Sequence, residues 1–285
     1  MTPPKVWLIT GTSSGFGRRL VGIVLARGDR VIATARTLAK IDVNDSDFLD
    51  NPELDPNIHC AELDISAGTD NVKTQVDLAV QASGWGTVDV LVNNAGMGLP
   101  AFLEEGGADK MKQQYQTNVF GTLDVTNAVL PYMRQQKSGT VVVMGSRSGW
   151  KTEIKVGTFR VFLCLAIAET MALELEPLGI RVLIVEPGAF RTEGIYGNQF
   201  DESRPISDYD EERKKVGAMF SATAGKQPGD PVKAMKAVVE VVCGEGRAKG
   251  KDADRDVRSK CARMIRHLDE WSDVVGDVDL DQATS

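Results

Sequence analysis

"TGTSSGFG", Thr10 to Gly17, is the stretch on which the reading of this chain depends. It closes the β-rich run "VWLIT" that begins at Val6 and opens the helical segment Gly15 to Arg27. A helix N-terminus presents unpaired N–H groups and a partial positive charge, so a strand, a glycine turn and a helix together form a seat for a pyrophosphate. Gly11, Gly15 and Gly17 let the backbone approach such a ligand and let the helix pack close, while Ser13, Ser14 and Phe16 fill the turn between them.

Outward from this turn the same alternation continues. Short β-rich runs follow at Val31 (VIATA), Ile58 (IHCAEL), Val88 (VDVLVN), Thr140 (TVVVM) and Ile180 (IRVLIVE). Between them, Thr69 to Ser83, Ala108 to Arg134 and Val161 to Leu178 read as helices. Four to seven apolar residues bounded by turn formers suit strands buried on both faces. Parallel neighbours need helical crossovers, so the expected fold is α/β: a single-domain, doubly wound parallel sheet of the Rossmann-like kind.

Composition narrows the function classes. The 285 residues are 42% hydrophobic, enough to fill one large core, and the net charge of -7 offers no cationic field for nucleic acid or an anionic membrane surface. Cys60, Cys164, Cys243 and Cys261 have no C-x-x-C spacing, and His59 and His267 are the two histidines, so no metal site is expected. The N-terminus lacks a signal-peptide h-region, and the longest apolar run, Val161 to Ala168, falls far short of the ~20 residues of a membrane span. The expectation is a cytoplasmic protein with a small-molecule substrate and no nucleic-acid or membrane partner, with a homo-oligomer left open.

Residues 1–246 are expected to form the dinucleotide-binding domain. Within it, the polar segment 190–225 follows a strand's carboxyl end, where a substrate lid would lie over the ligand crevice, and carries one short helix. "GDPVKAMKAVVEVV" then starts a helix with Asp230 as N-cap and Pro231 at its first position. Residues 247–285 read as a charged linker and an amphipathic helix, without the apolar run of a seventh edge strand, so six strands are expected.

The spacing G-x-x-x-G-x-G resembles that of the short-chain dehydrogenase/reductase family. Asp64, "NNAG" at Asn93 to Gly96, Asn118 within "TNVFG", Ser146 and "PGAFRT" at Pro187 to Thr192 follow in the family's order. The resemblance covers Lys5 to Gly246 and implies a nicotinamide dinucleotide. On the resemblance, Asp64 meets the adenine amino group, Asn93 with Ala95 and Gly96 lines the adenosine ribose, and Pro187, Gly188, Phe190 and Thr192 border the nicotinamide. Ser146 and Asn118 belong to the catalytic set.

The residue after the second strand selects the dinucleotide. A carboxylate there would accept from a ribose 2′-OH, whereas a 2′-phosphate needs a cation. "VIATARTLAK" supplies Arg36 and no acid, which points to NADP(H). The family's proton-transfer pair, Tyr-x-x-x-Lys, is missing. Counting along the family's spacing, forward from Ser146 gives Phe159 with Leu163, and back from Pro187 gives Gly157 with Val161. Tyr115, Tyr196, Lys151, Glu153 and Lys155 lie nearby in sequence, and packing or surface roles suit each of them. Two functions stay open: an NADP(H)-dependent oxidoreductase acting on a carbonyl or secondary alcohol of a small to medium apolar molecule, or an NADP(H)-binding protein without redox turnover.

Overall fold

The computed structural model describes residues 3–41, 55–146, 162–193 and 200–250. Six parallel strands form one sheet in the order β3-β2-β1-β4-β5-β6. They are β1 (Val6–Thr10), β2 (Arg30–Ala35), β3 (Ile58–Glu62), β4 (Val90–Asn93), β5 (Gly139–Met144) and β6 (Ile180–Val185). Each lies within a residue or two of its predicted run. The α-helices are α1 (Gly15–Ala26), α2 (Thr69–Ser83), α3 (Leu103–Tyr115), α4 (Thr122–Gln136), α5 (Phe162–Leu175), α6 (Asp210–Thr223) and α7 (Pro231–Cys243).

Strand periodicity sends alternate side chains to opposite faces. Leu8, Ile32, Leu91, Val141 and Val143 meet α2, α4 and α5 in one buried cluster. Trp7, Ile9, Val31, Ala33, Val90, Val92 and Val142 meet α1 and α7 in the other. Each fully buried Val, Leu or Ile contributes roughly 1.5–3 kcal/mol, so the continuous apolar runs are explained by two cores sharing one sheet. The polar side-chain groups in β1 are satisfied: buried Trp7 donates its Nε1–H to Asp29 Oδ2 at 3.2 Å, and buried Thr10 donates its hydroxyl to Val92 O at 3.3 Å.

Order reversal between β1 and β4 places a crevice at the carboxyl edge, where doubly wound sheets take ligands. Three segments differ from the sequence expectation. The helix expected over 108–134 begins earlier, is broken at Gly107 (φ 56°, ψ −165°), and passes through a π-helical turn, Gln116–Gly121, before α4. The helix expected to be short in segment 190–225 runs fourteen residues as α6. β4 starts at Val90 instead of Val88, because Asp89 turns its carboxylate back to accept the Val6 N–H at 2.7 Å.

α6 is long because it has a partner that the local sequence does not reveal. Arg213 forms an ion pair with the buried Glu105 of α3, bonds Asp210 at 2.5 Å, and donates to Ile206 O at 3.2 Å. Around this pair Phe102, Phe200, Tyr209, Val216 and Phe220 make a separate small core, with Phe102 stacked on Tyr209 at 4.9 Å. α7 starts as expected: Asp230 accepts from Val232 and Lys233 N–H groups, and Pro231 occupies the first turn. The expected linker and amphipathic helix after Gly250 lie outside the described residues.

Candidate functional site

The turn after β1 is held from both sides. Thr12 donates its N–H to Thr34 O at 3.0 Å, tying the turn to β2. On the β4 side, Thr10 Oγ1 accepts the N–H groups of Asn94 (3.0 Å) and Ala95 (2.9 Å), while Asn94 Nδ2 donates to Thr10 O and Gly11 O. Gly11 has φ +70°, and a Cβ there would fall 2.8 Å from Ala95 Cα. At Gly17 a Cβ would meet Gly11 O at 2.3 Å and Asn94 Nδ2 at 2.5 Å. The glycine spacing is therefore fixed by β4 pressing against the turn and α1 packing under it.

α1 presents an unneutralised positive end from its own sequence. Its N-cap, Ser14, makes no side-chain capping bond, and its first turn holds no acid. These features fit a diphosphate, which would supply acceptors and negative charge that the helix's own first turn does not. Phe16 beside this turn meets Phe190 edge-on, ring centroids 5.5 Å apart. Phe190 is held in turn by a parallel bridge to Gly229, with Arg191 N–H donating to Gly229 O and Gly229 N–H to Ala189 O. The loop at Pro187, Gly188 and Thr192 is thus brought over the glycine turn, with Thr192 Cβ 3.9 Å from where a Gly15 Cβ would lie.

Arg36 stands exposed directly after β2, and the residue before it is the buried Ala35. The next acid on this edge, Glu62, is turned to accept the Leu38 N–H at 3.2 Å. Asp64 follows β3 and accepts from both Ser66 N–H (3.0 Å) and Ser66 Oγ (2.6 Å), a local turn that fixes the carboxylate at the crevice rim.

The motif Asn93 to Gly96 divides its labour in a way the spacing does not disclose. The Asn93 side chain is buried and donates to Thr126 Oγ1 at 2.8 Å, so it anchors α4. Asn94, absent from the expected set, stitches the glycine turn. Asn118 lies in the π-helical turn, where its Oδ1 accepts from Met97 N–H (2.8 Å) and its Nδ2 donates to Met97 O (2.7 Å). Such a turn is a frequent device at functional sites because it re-aims one side chain out of the helix register. Here it clamps the loop that leaves Gly96, whose own Cβ position lies 3.4 Å from Asn118 Oδ1.

Ser146 stands just past β5. Gly145 N–H still donates to Val185 O at 2.7 Å, which carries the β5–β6 pairing up to the serine. Gly157, Phe159 and Val161, Lys151, Glu153, Lys155 and Tyr196 lie outside the described residues, and so does the side chain of Leu163. Tyr115 packs against the core on the α2 and α4 side of the sheet. No group of three or more His, Cys, Asp or Glu able to hold a metal occurs among the described residues, and no described helix is long and apolar enough to cross a membrane.

Known proteins match this arrangement. The family model for short chain dehydrogenases fits residues 5–199. A Bacillus subtilis protein named uncharacterized oxidoreductase YusZ is 30% identical over 233 residues, covering 80% of this chain and 80% of that protein. A 3-ketodihydrosphingosine reductase of Bacteroides thetaiotaomicron is 30% identical over 207 residues, covering 72% of this chain and 69% of the relative. The crystal structure of a short-chain dehydrogenase from Streptomyces avermitilis superposes with a TM-score of 0.71 at 32% identity, over 98% of this chain and 100% of that one. With its six-stranded parallel sheet, its glycine turn and these matches, the chain belongs to the short-chain dehydrogenase/reductase family of oxidoreductases.

Proposed function

We propose that the protein is an NADP(H)-dependent oxidoreductase acting on a carbonyl or secondary alcohol of a small to medium, largely apolar molecule. The observation that carries the choice of dinucleotide is the pair Ala35–Arg36 at the end of β2: no carboxylate for a ribose 2′-OH, and an exposed guanidinium for a 2′-phosphate. The relative that reduces 3-ketodihydrosphingosine supports a ketone on an apolar substrate. The rings that the proposed lid carries, Phe200 and Tyr209, which pack on Phe102 just before α3, support the same substrate class.

The roles proposed for this chain's residues are these. The first turn of α1 receives the diphosphate, with Gly11 and Gly17 keeping the backbone close. Asp64 accepts from the adenine amino group, Arg36 grips the 2′-phosphate, and Phe190 and Thr192 border the nicotinamide. The bound dinucleotide supplies hydride chemistry at its nicotinamide ring. Ser146 polarises the substrate oxygen by donating its hydroxyl proton in a hydrogen bond, and Asn118 positions the loop after Gly96 through Met97. Absence of Tyr-x-x-x-Lys after Ser146 removes the general acid, a loss that commonly costs about 10²–10⁴-fold. Turnover is then slow, with water or the substrate itself supplying the proton.

That same absence favours a second reading: a dinucleotide-binding protein without redox turnover. Following NADPH absorbance across a panel of apolar ketones and aldehydes distinguishes the two. Steady, enzyme-dependent oxidation supports the reductase. Saturable NADPH binding with no oxidation supports the second.

A further inference from the structure

The positive end of α1 already holds an anion, and that anion belongs to the chain itself. Glu193 Oε2 accepts the Gly15 N–H at 2.8 Å and Arg19 Nη1 at 3.0 Å, and its Oε1 accepts Arg19 Nη2 at 2.6 Å. Arg19 Nη1 also donates to Gly15 O at 2.9 Å, so one guanidinium spans the carboxylate and the first turn of the helix. The carboxylate comes from the far end of the sheet, carried over by the loop that Phe190 anchors on Gly229. The Glu193 side chain stays 47% exposed while that of Arg19 is 13% exposed, so the contact is open to solvent on the carboxylate side. Arg19's hydrogen bonds, together with the N–H groups of Glu193 itself and Gly15, hold the carboxyl at about 2 despite partial burial. It is therefore ionised at neutral pH.

A dinucleotide's diphosphate seeks the same N–H groups and the same positive end, and its charge would repel a carboxylate left there. We propose that Glu193 is an intramolecular stand-in for the diphosphate: it occupies the α1 N-terminus in the dinucleotide-free protein and is exchanged for the ligand, with Arg19 passing from carboxylate to phosphate. This inference rests on the dinucleotide reading above. Because Glu193 adjoins Thr192, the exchange also couples arrival of the diphosphate to the loop that borders the nicotinamide.

Glu193→Gln keeps the shape and removes the charge. Charge-assisted hydrogen bonds are about twice as strong as neutral ones, so the variant's stand-in is the weaker competitor and NADPH should bind about fivefold more tightly by calorimetry. Adenosine 2′-monophosphate, which has no diphosphate, should bind the two proteins equally, and Glu193→Ala should shift NADPH in the same direction as Glu193→Gln. In the ligand-free variant, hydrogen exchange at the Gly15 amide should quicken while β1 keeps its protection. An NADPH affinity that is unchanged or weakened in the variants overturns the exchange and leaves the dinucleotide reading standing; so does a parallel shift of both ligands. Failure of both ligands to bind either protein overturns the two together.

Discussion

Gly17→Ala is the sharpest test of how the glycine turn is built. The added methyl would lie 2.3 Å from Gly11 O, 2.5 Å from Asn94 Nδ2 and 3.0 Å from Gly11 C. Comfortable contacts to carbon lie near ~3.5 Å, so the turn must open by roughly 1 Å, and the first obstacle is main chain, which cannot rotate away. Overpacking of this kind costs about 1–3 kcal/mol. The Asn94 amide would also be displaced from Thr10 O and Gly11 O, at about 1 kcal/mol for each bond lost. For a domain of this size the melting midpoint should fall by roughly 6–20 °C. NADPH affinity should fall at least ~10-fold, because amides must be aimed to within fractions of an ångström to hold a phosphate. Calorimetry measures both quantities on one preparation. Gly217→Ala, in α6 with nothing within 4 Å of its Cβ position, is the control and should be neutral or stabilising by up to about 1 kcal/mol. If Gly17→Ala melts with the wild type and binds NADPH equally well, close packing of α1 beneath the turn is not what the glycines provide.

Three further outcomes are expected. Glu105→Ala should lower the melting midpoint and accelerate hydrogen exchange along α6 before the sheet opens, since it leaves Arg213 beside a small core without its buried counter-charge; exchange rates across α6 that match the wild type would contradict this. Glu193, whose folded pKa of about 2 lies below its ordinary 4.5, contributes stability that is fully present above pH ~4.5 and is lost as pH falls toward 2. The urea-midpoint difference between wild type and Glu193→Gln should therefore be constant from pH 8 to about 5 and shrink below it; a difference that grows on acidification would reverse the sign. Phe159→Tyr combined with Leu163→Lys should raise NADPH-dependent ketone reduction by about 10²-fold or more if a proton donor is what the chain lacks, and unchanged rates would show that the deficit lies elsewhere.

Much of the fold was legible because its signals are local. Apolar runs such as "VWLIT" and "VVVM" can only be buried on both faces, and the glycine turn announces its own strand and helix. Asp230 and Pro231 marked the start of α7 for the same reason. What the sequence concealed depends on contacts between distant residues. Glu105 and Arg213 are 108 positions apart, so nothing near Arg213 indicates that α6 will extend for fourteen residues. The π-helical turn at Asn118 is set by the demand for an Asn118–Met97 clamp and by Gly121 packing under Ile65 O, neither of which has a periodic signature. Asn93 and Asn94 look equivalent in "NNAG", yet strand alternation sends one amide into the α4 side and the other to the turn. Glu193 gave no sign at all, since an acid in a polar loop is usually solvated.

Titrating NADPH and NADH separately into the wild-type protein and into Arg36→Ala tests the central claim most directly. A guanidinium–phosphate pair contributes about 1.5–3 kcal/mol, so the wild type should bind NADPH roughly 10–100-fold more tightly than NADH, and Arg36→Ala should erase most of that ratio while leaving NADH affinity alone. No heat with either dinucleotide, or equal affinity for both in the wild type, would contradict it.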